Sequence, residues 1–170
     1  AYDIADIALN CKTKEELLNS RFGNSTVSEK LIEQTGVIGE KIQINDFSRI
    51  EANYVGTYIH AGNKISSLVG FDVKVENIET VGKDISMQIA AMNPIALDKE
   101  SVDPELIKKE IEIAKDQLKI EGKPEKLIEK IAIGKLNRFF KDNTLINQQF
   151  IKENKISVAQ YLKTLSLIHI

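Results

Sequence analysis

With 170 residues, 42% of them hydrophobic, the chain is long enough to bury one good core or two small ones. Its 23 basic residues against 25 acidic ones give a net charge of −2, which provides no cationic field for a nucleic-acid partner. No apolar run approaches the roughly 20 residues needed to span a bilayer, so we expect no membrane partner either.

The first half of the chain is predicted to alternate helices with strands. Capping boxes that begin at Thr13 and Thr26 start two of the helices, and Gly36 is predicted to end the second of these. The predicted elements are two short helices within 2–20, a helix over 26–35, strands over 41–44, 49–58 and 64–71, and a helix over 80–92. The apolar face of the last helix consists of Val81, Ile85, Ile89 and Met92.

The strands over 49–58 and 64–71 are predicted to form a β-hairpin whose turn contains His60. Gly62 and Asn63 lie in the same turn, and both residue types tolerate the positive φ angles that such turns need. A histidine in this position can be a catalyst, a ligand, a contact for another protein or a solvated loop residue. The local sequence leaves these four alternatives open.

Two longer helices, over 104–121 and 124–140, are predicted in the second half of the chain. Asp103, followed by a proline and a glutamate, makes a strong helix start. Because the turn between the helices is short, they must fold back antiparallel. Their outer faces alternate lysine with acidic residues, so the pair can project as a two-stranded coiled coil, with two ordinary core helices as the alternative. The inner faces consist of Ile107, Ile111, Ala114 and Leu118 on the first helix and Ile128, Ala132, Leu136 and Phe139 on the second.

A weak internal repeat links the two ends of the chain. The stretches LLNSRFGNSTVSEKL (17–31) and LINQQFIKENKISVAQYL (145–162) share leucine, asparagine, phenylalanine and valine positions, and the second copy is longer. Each copy is typical of a turn that leads into a capped helix. If the repeat is genuine, two related α+β halves flank the pair of long helices, and chance similarity is the alternative.

Residue types that bind metals or carry out catalysis are scarce. The only cysteine and histidines, Cys11, His60 and His169, show no metal-ligand spacing, and no phosphate-binding glycine loop is present. We therefore expect no catalytic residue, no metal and no cofactor, and a protein that is not an enzyme. Cys11 is expected to pack as a small hydrophobe, and a single cysteine is typical of a reducing, cytoplasmic setting.

Five stretches of the sequence together carry a family resemblance. They are TGVIGEKI (35–42), YIHAGNKI (58–65), DISMQIAAMNP (84–94), GKPEKLIEKIAIGKLNRFF (122–140) and TLINQQFIKENKISVAQYL (144–162). In this order they resemble the bacterial translation elongation factor Ts family, whose members are guanine-nucleotide exchange factors for elongation factor Tu. One such stretch would be a weak signal, whereas five in the family's order are highly specific.

The resemblance implies an α+β fold with two similar small α+β subdomains and a projecting antiparallel coiled-coil helical hairpin. It identifies residues 1–170 as the core region, with one subdomain over 13–92, the coiled coil over 103–141 and the second subdomain over 93–102 and 142–163. The family's N-terminal module is missing from the match, and the sequence begins without a methionine. We expect the chain to be part of a longer protein.

The resemblance also answers the question that the hairpin turn raises. In such factors the turn histidine, here His60, lies on the surface that meets elongation factor Tu. The implied partner-binding residues are Ile38, Gly39, His60, Gly62, Asn63, Lys64, Ile151 and Lys152. Five residues depart from the common family pattern. Many members have glycine and arginine in place of Asn63 and Lys64, glycine and valine in place of Ser66 and Ser67, and histidine in place of Gln88. The last residues, 164–170, depart from the family's closing strand, and we expect no role for His169.

The implied function is to bind elongation factor Tu in the cytoplasm and to promote exchange of GDP for GTP by stabilising the nucleotide-free state. Without the N-terminal module, we expect binding but a smaller acceleration of GDP release than a complete factor gives. A homodimer and a heterotetramer with the partner are both left open as assemblies. The alternative function is a structural or oligomerisation module that binds a protein partner through its coiled coil.

Overall fold

The computed structural model describes residues 2–72 and 76–165, and these combine helices with small antiparallel sheets in a mixed α+β fold. The chain divides into two compact units, Ala1–Glu51 and Ala52–Ile170. His169 lies outside the described residues, as does most of the divergent tail. The subdomain bounds implied by the family resemblance stay a prediction.

The first unit is a small helical cluster with one short pair of strands. Its core contains Cys11, Leu17 and Val27, with Ile7 and Ala8 packed against it, so the expectation that Cys11 is a small buried hydrophobe is confirmed. The elements are α1 (Tyr2–Ala8), α2 (Lys14–Asn19), β1 (Arg21–Phe22), β2 (Ser25–Thr26) and α3 (Val27–Ile38).

The capping signals in this unit act as predicted at the helix starts. The Thr26 hydroxyl accepts from the backbone N–H of Glu29, whose carboxylate accepts from the backbone of Thr26, which completes a capping box. Thr13 caps α2 in the same way, but the carboxylate of Glu16 accepts from the backbone of Lys12 instead. One half of that predicted box is therefore displaced by a residue.

Two predictions about the end of this unit are wrong. The third helix continues through Gly36 to Ile38 and ends at Gly39, which takes a left-handed conformation with φ of 77°. Residues 41–44 form no strand, because the backbone N–H of Ile42 donates to the Thr35 hydroxyl at 3.1 Å rather than to a neighbouring strand. A hydrogen bond to a side chain thus takes the place of strand pairing for the backbone N–H of Ile42.

The second unit begins with the predicted hairpin. The two strands pair antiparallel and in register from Tyr54 with Phe71 to Ile59 with Ser66, so both start later than predicted and Lys64 belongs to the turn. The elements are β3 (Tyr54–Ile59), β4 (Ser66–Phe71), α4 (Ile78–Met92), α5 (Pro104–Ile120), α6 (Glu125–Asn143), a short 3-10 helix (Leu145–Asn147), β5 (Gln149–Phe150), β6 (Glu153–Ser157) and α7 (Val158–Thr164).

The hairpin packs on α4 through two glycines. A Cβ placed on Gly56 would lie 2.6–2.7 Å from the backbone of Gly82, so sheet and helix meet backbone to backbone. On the predicted apolar face of α4, Val81 and Ile85 are buried, Ile89 is partly buried and Met92 is 43% exposed. The core of this unit contains Phe71, Val81, Ile85, Leu145, Phe150, Val158 and Leu162.

The helices α5 and α6, here called the helix pair, pack against each other through a separate cluster. Ala114, Leu118, Ile128 and Ala132 are buried there, all four from the predicted inner faces. Gly122, in the turn between them, has φ of 70°, which is the left-handed conformation that closes α5.

The two copies of the sequence repeat share one local structure. In both, a short antiparallel strand pair leads into a helix that starts with a capping box, at Thr26 in one copy and Ser157 in the other. The backbone N–H of Val27 donates to the Ser20 carbonyl, and that of Val158 donates to the Gln148 carbonyl, each at 3.0 Å. The repeat is therefore structural, which argues against chance similarity.

Candidate functional site

The hairpin turn from His60 to Ile65 holds four of the eight predicted partner-binding residues. The backbone N–H of His60 donates to the Ile65 carbonyl at 2.9 Å, and that of Asn63 donates to the His60 carbonyl at 3.0 Å. Gly62 and Asn63 have φ of 90° and 55°, so the predicted positive angles are confirmed. The side chains of the turn are exposed, and its backbone is closed by hydrogen bonds.

The imidazole of His60 is exposed and is held by Tyr58, near the end of β3. Its Nδ1 lies 2.9 Å from the Tyr58 hydroxyl, and the two rings are tilted with centroids 6.0 Å apart. When Nδ1 accepts from Tyr58, Nε2 carries the proton and can donate to a partner group. This arrangement suits a binding contact better than a mobile loop histidine.

An apolar strip beside His60 was not predicted from the sequence. Ile59, Ile65 and Leu68 are exposed by 56%, 50% and 47%, and Leu68 pairs with Thr57 across the hairpin. Ile65 lies opposite His60 across the turn, whereas Ile59 and Leu68 share the other face of the hairpin. Exposed aliphatic side chains at one end of a hairpin are typical of a surface that another protein covers. Strand alternation could have indicated this strip, since Thr57 and Ile59 share the strand face that points away from Tyr58.

Ile38 and Gly39 lie in the first unit, at the end of α3. Ile38 is 56% exposed, and Ile32 and Val37 on the same helix are exposed as well. Gly39 is the left-handed residue that ends the helix, so the chain leaves α3 directly after this apolar group. The sequence predicted the exposed isoleucine and its glycine but neither Ile32 nor Val37.

Ile151 and Lys152 form the turn between β5 and β6, and side chains of α4 hold both of them. The backbone N–H of Ile151 donates to the Gln88 side-chain oxygen at 2.8 Å. The Lys152 ammonium lies 2.5 Å from the Asp84 carboxylate, which is itself buried. The aliphatic side chain of Ile151 remains exposed.

The buried carboxylate of Asp84 also binds α7. The Tyr161 hydroxyl donates to Asp84 at 3.1 Å, and the Tyr161 ring stacks on Phe150 with centroids 4.2 Å apart. Burial and the nearby Asp84 carboxylate raise the pKa of Tyr161 to about 12, so its hydroxyl stays protonated and remains a donor. Asp84 therefore has partners on the turn and on α7.

Two buried glutamines join the neighbouring elements. The Gln88 side-chain NH₂ donates to the Gln148 side-chain oxygen and to the Gln149 carbonyl, both at 3.1 Å. Gln148 in turn donates to the carbonyl of Met92 at 3.3 Å and to that of Asp142 at 3.0 Å. Both amides thus use their donors and acceptors, which fixes their orientation. Residues 60 positions apart meet here, and no local sequence signal could have indicated this contact.

The described residues contain no group of three or more histidine, cysteine or acidic side chains placed to hold a metal. A membrane crossing would need a longer and more apolar helix than any among the residues that the structure describes. The candidate residues are instead exposed groups on two turns of the second unit and on one helix end of the first. These features define a class: a mixed α+β protein with surface groups suited to binding another protein.

Comparison with known proteins identifies the family. The family model for elongation factor Ts matches residues 1–168. The chain is 56% identical over 165 residues to the elongation factor Ts of Flavobacterium psychrophilum, covering 97% of this chain and 60% of the relative. It is 58% identical over 164 residues to that of Christiangramia forsetii, with 96% and 60% covered, and 46% identical over 151 residues to that of Amoebophilus asiaticus, with 88% and 54% covered.

The chain belongs to the elongation factor Ts family. The resemblance inferred from five motifs is therefore confirmed. The chain spans about 60% of the length of the first two curated relatives that it matches.

Proposed function

We propose that this chain is the partner-binding core of an exchange factor that binds elongation factor Tu and promotes exchange of GDP for GTP. The observation that carries the proposal is the exposed His60 on a closed hairpin turn, bordered by exposed apolar side chains, in a chain of this family. A translation factor acts beside ribosomes, so the expected setting is the cytoplasm. The eight predicted partner-binding residues are the proposed contact residues, two on the first unit and six on the second.

The proposed mechanism requires differential binding and no bond chemistry. A surface that binds the nucleotide-free partner better than the nucleotide-bound one lowers nucleotide affinity by the same factor. A tenfold change in that affinity corresponds to about 1.4 kcal/mol. One or two well-packed contacts, such as His60 with Ile65 opposite it in the turn, are enough to supply this difference.

The architecture proposed for this function has two similar α+β subdomains and a projecting coiled coil. The shared capping boxes and the equivalent hydrogen bonds of Val27 and Val158 support the first part. The separate buried cluster between α5 and α6 supports the second, because the pair has its own seam.

The test is calorimetric titration of nucleotide-free elongation factor Tu with wild type and His60→Ala, followed by release of labelled GDP. His60→Ala should weaken binding by about 1–2 kcal/mol, the usual effect of losing an interface hydrogen bond and its packing. Its thermal melt should be nearly unchanged, because an exposed turn side chain contributes little to the core. Lys99→Ala, a change at another exposed position, is the control and should bind as wild type does.

Unchanged affinity of His60→Ala would return His60 to a solvated loop residue. Parallel losses of affinity and melting temperature would instead make it a residue of the fold.

A structural or oligomerisation module is the second candidate, favoured by one observation on the helix pair. Ile120 is 87% exposed, and Ile113, one heptad earlier on α5, is exposed as well. Two isoleucines seven residues apart lie on one helix face and can meet a partner helix. Under this function Ile120→Lys would abolish self-association in sedimentation experiments, whereas under the exchange function it would leave partner binding intact.

A further inference from the structure

The turn formed by Ile151 and Lys152 is held by two residues one helical turn apart on α4. Asp84 and Gln88 are spaced by four residues, so both side chains leave the same helix face. Asp84 takes the ammonium of Lys152, and Gln88 takes the backbone N–H of Ile151. Both α4 residues are at most 5% exposed, whereas the turn that they hold is exposed.

These contacts occupy polar groups that would otherwise be available to a binding partner. The ammonium of Lys152 is paired within the chain with the buried Asp84 carboxylate, although the lysine side chain is 48% exposed. The Gln88 side-chain oxygen accepts from the backbone N–H of Ile151, and its NH₂ group donates to Gln148 and Gln149. With its amide fixed in this way, Gln88 fixes the backbone of Ile151, and the aliphatic side chain of Ile151 is the part that stays exposed.

We infer that Asp84 and Gln88 are positioning residues that hold the Ile151–Lys152 turn in its partner-binding conformation, with Ile151 as the contact and Lys152 as an internal anchor. The inference rests on the proposed function and refines it, since the resemblance implies contacts from both turn residues and assigns no role to Asp84 or Gln88. It also gives a physical meaning to the departure at position 88. A glutamine there provides one acceptor and two donors to three separate groups.

Holding the turn affects affinity through the fraction of molecules that are ready to bind. When only a fraction of the chains has the competent conformation, the apparent Kd rises by the inverse of that fraction. A turn that is competent about one tenth of the time binds about tenfold more weakly. Loss of either α4 contact should therefore raise the Kd and at the same time speed hydrogen exchange of the Ile151 amide.

The experiment compares wild type with Gln88→Met and Asp84→Asn, which keep side-chain size while removing the amide hydrogen bonds or the charge. For each, titration of nucleotide-free elongation factor Tu gives the Kd, and NMR gives the exchange rate of the Ile151 amide. We expect Kd to rise about tenfold for Gln88→Met, with faster Ile151 exchange. Val102→Ala, a change at a buried residue outside α4 and outside the core cluster of this unit, is the matched control for lost stability and should keep both values.

Lys152→Met and the double variant Asp84→Asn with Lys152→Met separate anchoring from partner contact. If Lys152 is an anchor, the double variant loses no more affinity than either single variant, because both changes break one ion pair. Additive losses would mean that the ammonium contacts the partner directly, which would overturn its assignment as an anchor. Should Gln88→Met fail to fold, this cycle still decides the assignment.

Two further outcomes are distinguishable. If wild type binds elongation factor Tu and both Gln88→Met and Asp84→Asn bind it with the same Kd as wild type, the positioning role is overturned. The proposed function then still stands. Wild type that does not bind elongation factor Tu at all would overturn the proposed function, and the positioning role with it.

Discussion

The two copies of the repeat, Leu17–Leu31 and Leu145–Leu162, have the same local design but different surroundings. Each begins with a buried leucine and leads to a fully buried valine at the helix start. At the equivalent position before the strand pair, the first copy has Ser20 and the second has Gln148. Ser20 bonds to the carbonyl of Glu16 in the preceding helix, whereas Gln148 bonds to three residues on two other elements, α4 and α6.

The comparison teaches that short-range sequence signals fix the motif, while one longer side chain decides what the motif is joined to. Ser20 is too short to leave its own neighbourhood, and its hydroxyl lies beside Cys11. Gln148 ties the strand pair to the ends of α4 and α6 through buried hydrogen bonds. The phenylalanines follow the same division, since Phe150 is buried against Tyr161 and Phe22 is half-buried.

The largest expected difference between the copies is at these phenylalanines. Phe150→Ala should lower the free energy of unfolding by about 3–5 kcal/mol, because it removes a buried ring and its stack on Tyr161. Phe22→Ala should cost about half as much, since that ring is only partly withdrawn from water. Urea unfolding followed by circular dichroism measures both, and equal losses would show that the two copies are packed alike.

A smaller difference is expected where serine and glutamine correspond. Gln148→Leu should cost about 2–3 kcal/mol, because it leaves the carbonyls of Met92 and Asp142 and a Gln88 N–H buried without their partner. Ser20→Ala should cost less than about 1 kcal/mol, since the carbonyl of Glu16 is a helix-end acceptor that water can reach. Denaturation of both variants tests this, and a Gln148→Leu protein as stable as wild type would mean that the network is not stabilising.

The caps should show the smallest effect and no difference between copies. Thr26→Ala and Ser157→Ala each remove the hydroxyl of a complete capping box and should each cost about 1 kcal/mol. Thr26→Ser and Ser157→Thr keep a hydroxyl and serve as controls that should stay close to wild type. If the two alanine variants differed by more than about 1 kcal/mol, tertiary surroundings rather than local capping would dominate at the helix starts.

The sequence predicted the features that depend on neighbouring residues. The capped starts of α3 and α5, the positive φ angles of Gly62 and Asn63 and the buried seam of the helix pair are all local signals. The end of α3 was missed because Gly36 and Gly39 are equally able to end a helix, and only packing chooses between them. Residues 41–44 alternate like a strand but have no paired strand among the described residues, and alternation alone does not supply one.

The candidate site divides in the same way. The exposed turn at His60 was predictable, because glycine and asparagine between two strands indicate a hairpin. The support beneath Ile151 was not, since Asp84 and Lys152 are 68 positions apart and their meeting depends on the tertiary fold. The family resemblance implied that both turns bind the partner, whereas only the three-dimensional arrangement indicates the roles of Asp84 and Gln88.

The contact between Gly56 and Gly82 fixes the position of the hairpin relative to α4. Since backbone meets backbone there, no side chain can change rotamer to alter the spacing between the hairpin and α4. A methyl group at either glycine would push the hairpin away from α4. This displacement would extend about 13 Å along β3 to His60. α4 also holds the turn at Ile151. The positions of the His60 turn and the Ile151 turn are therefore both set by α4, which fixes the distance between them.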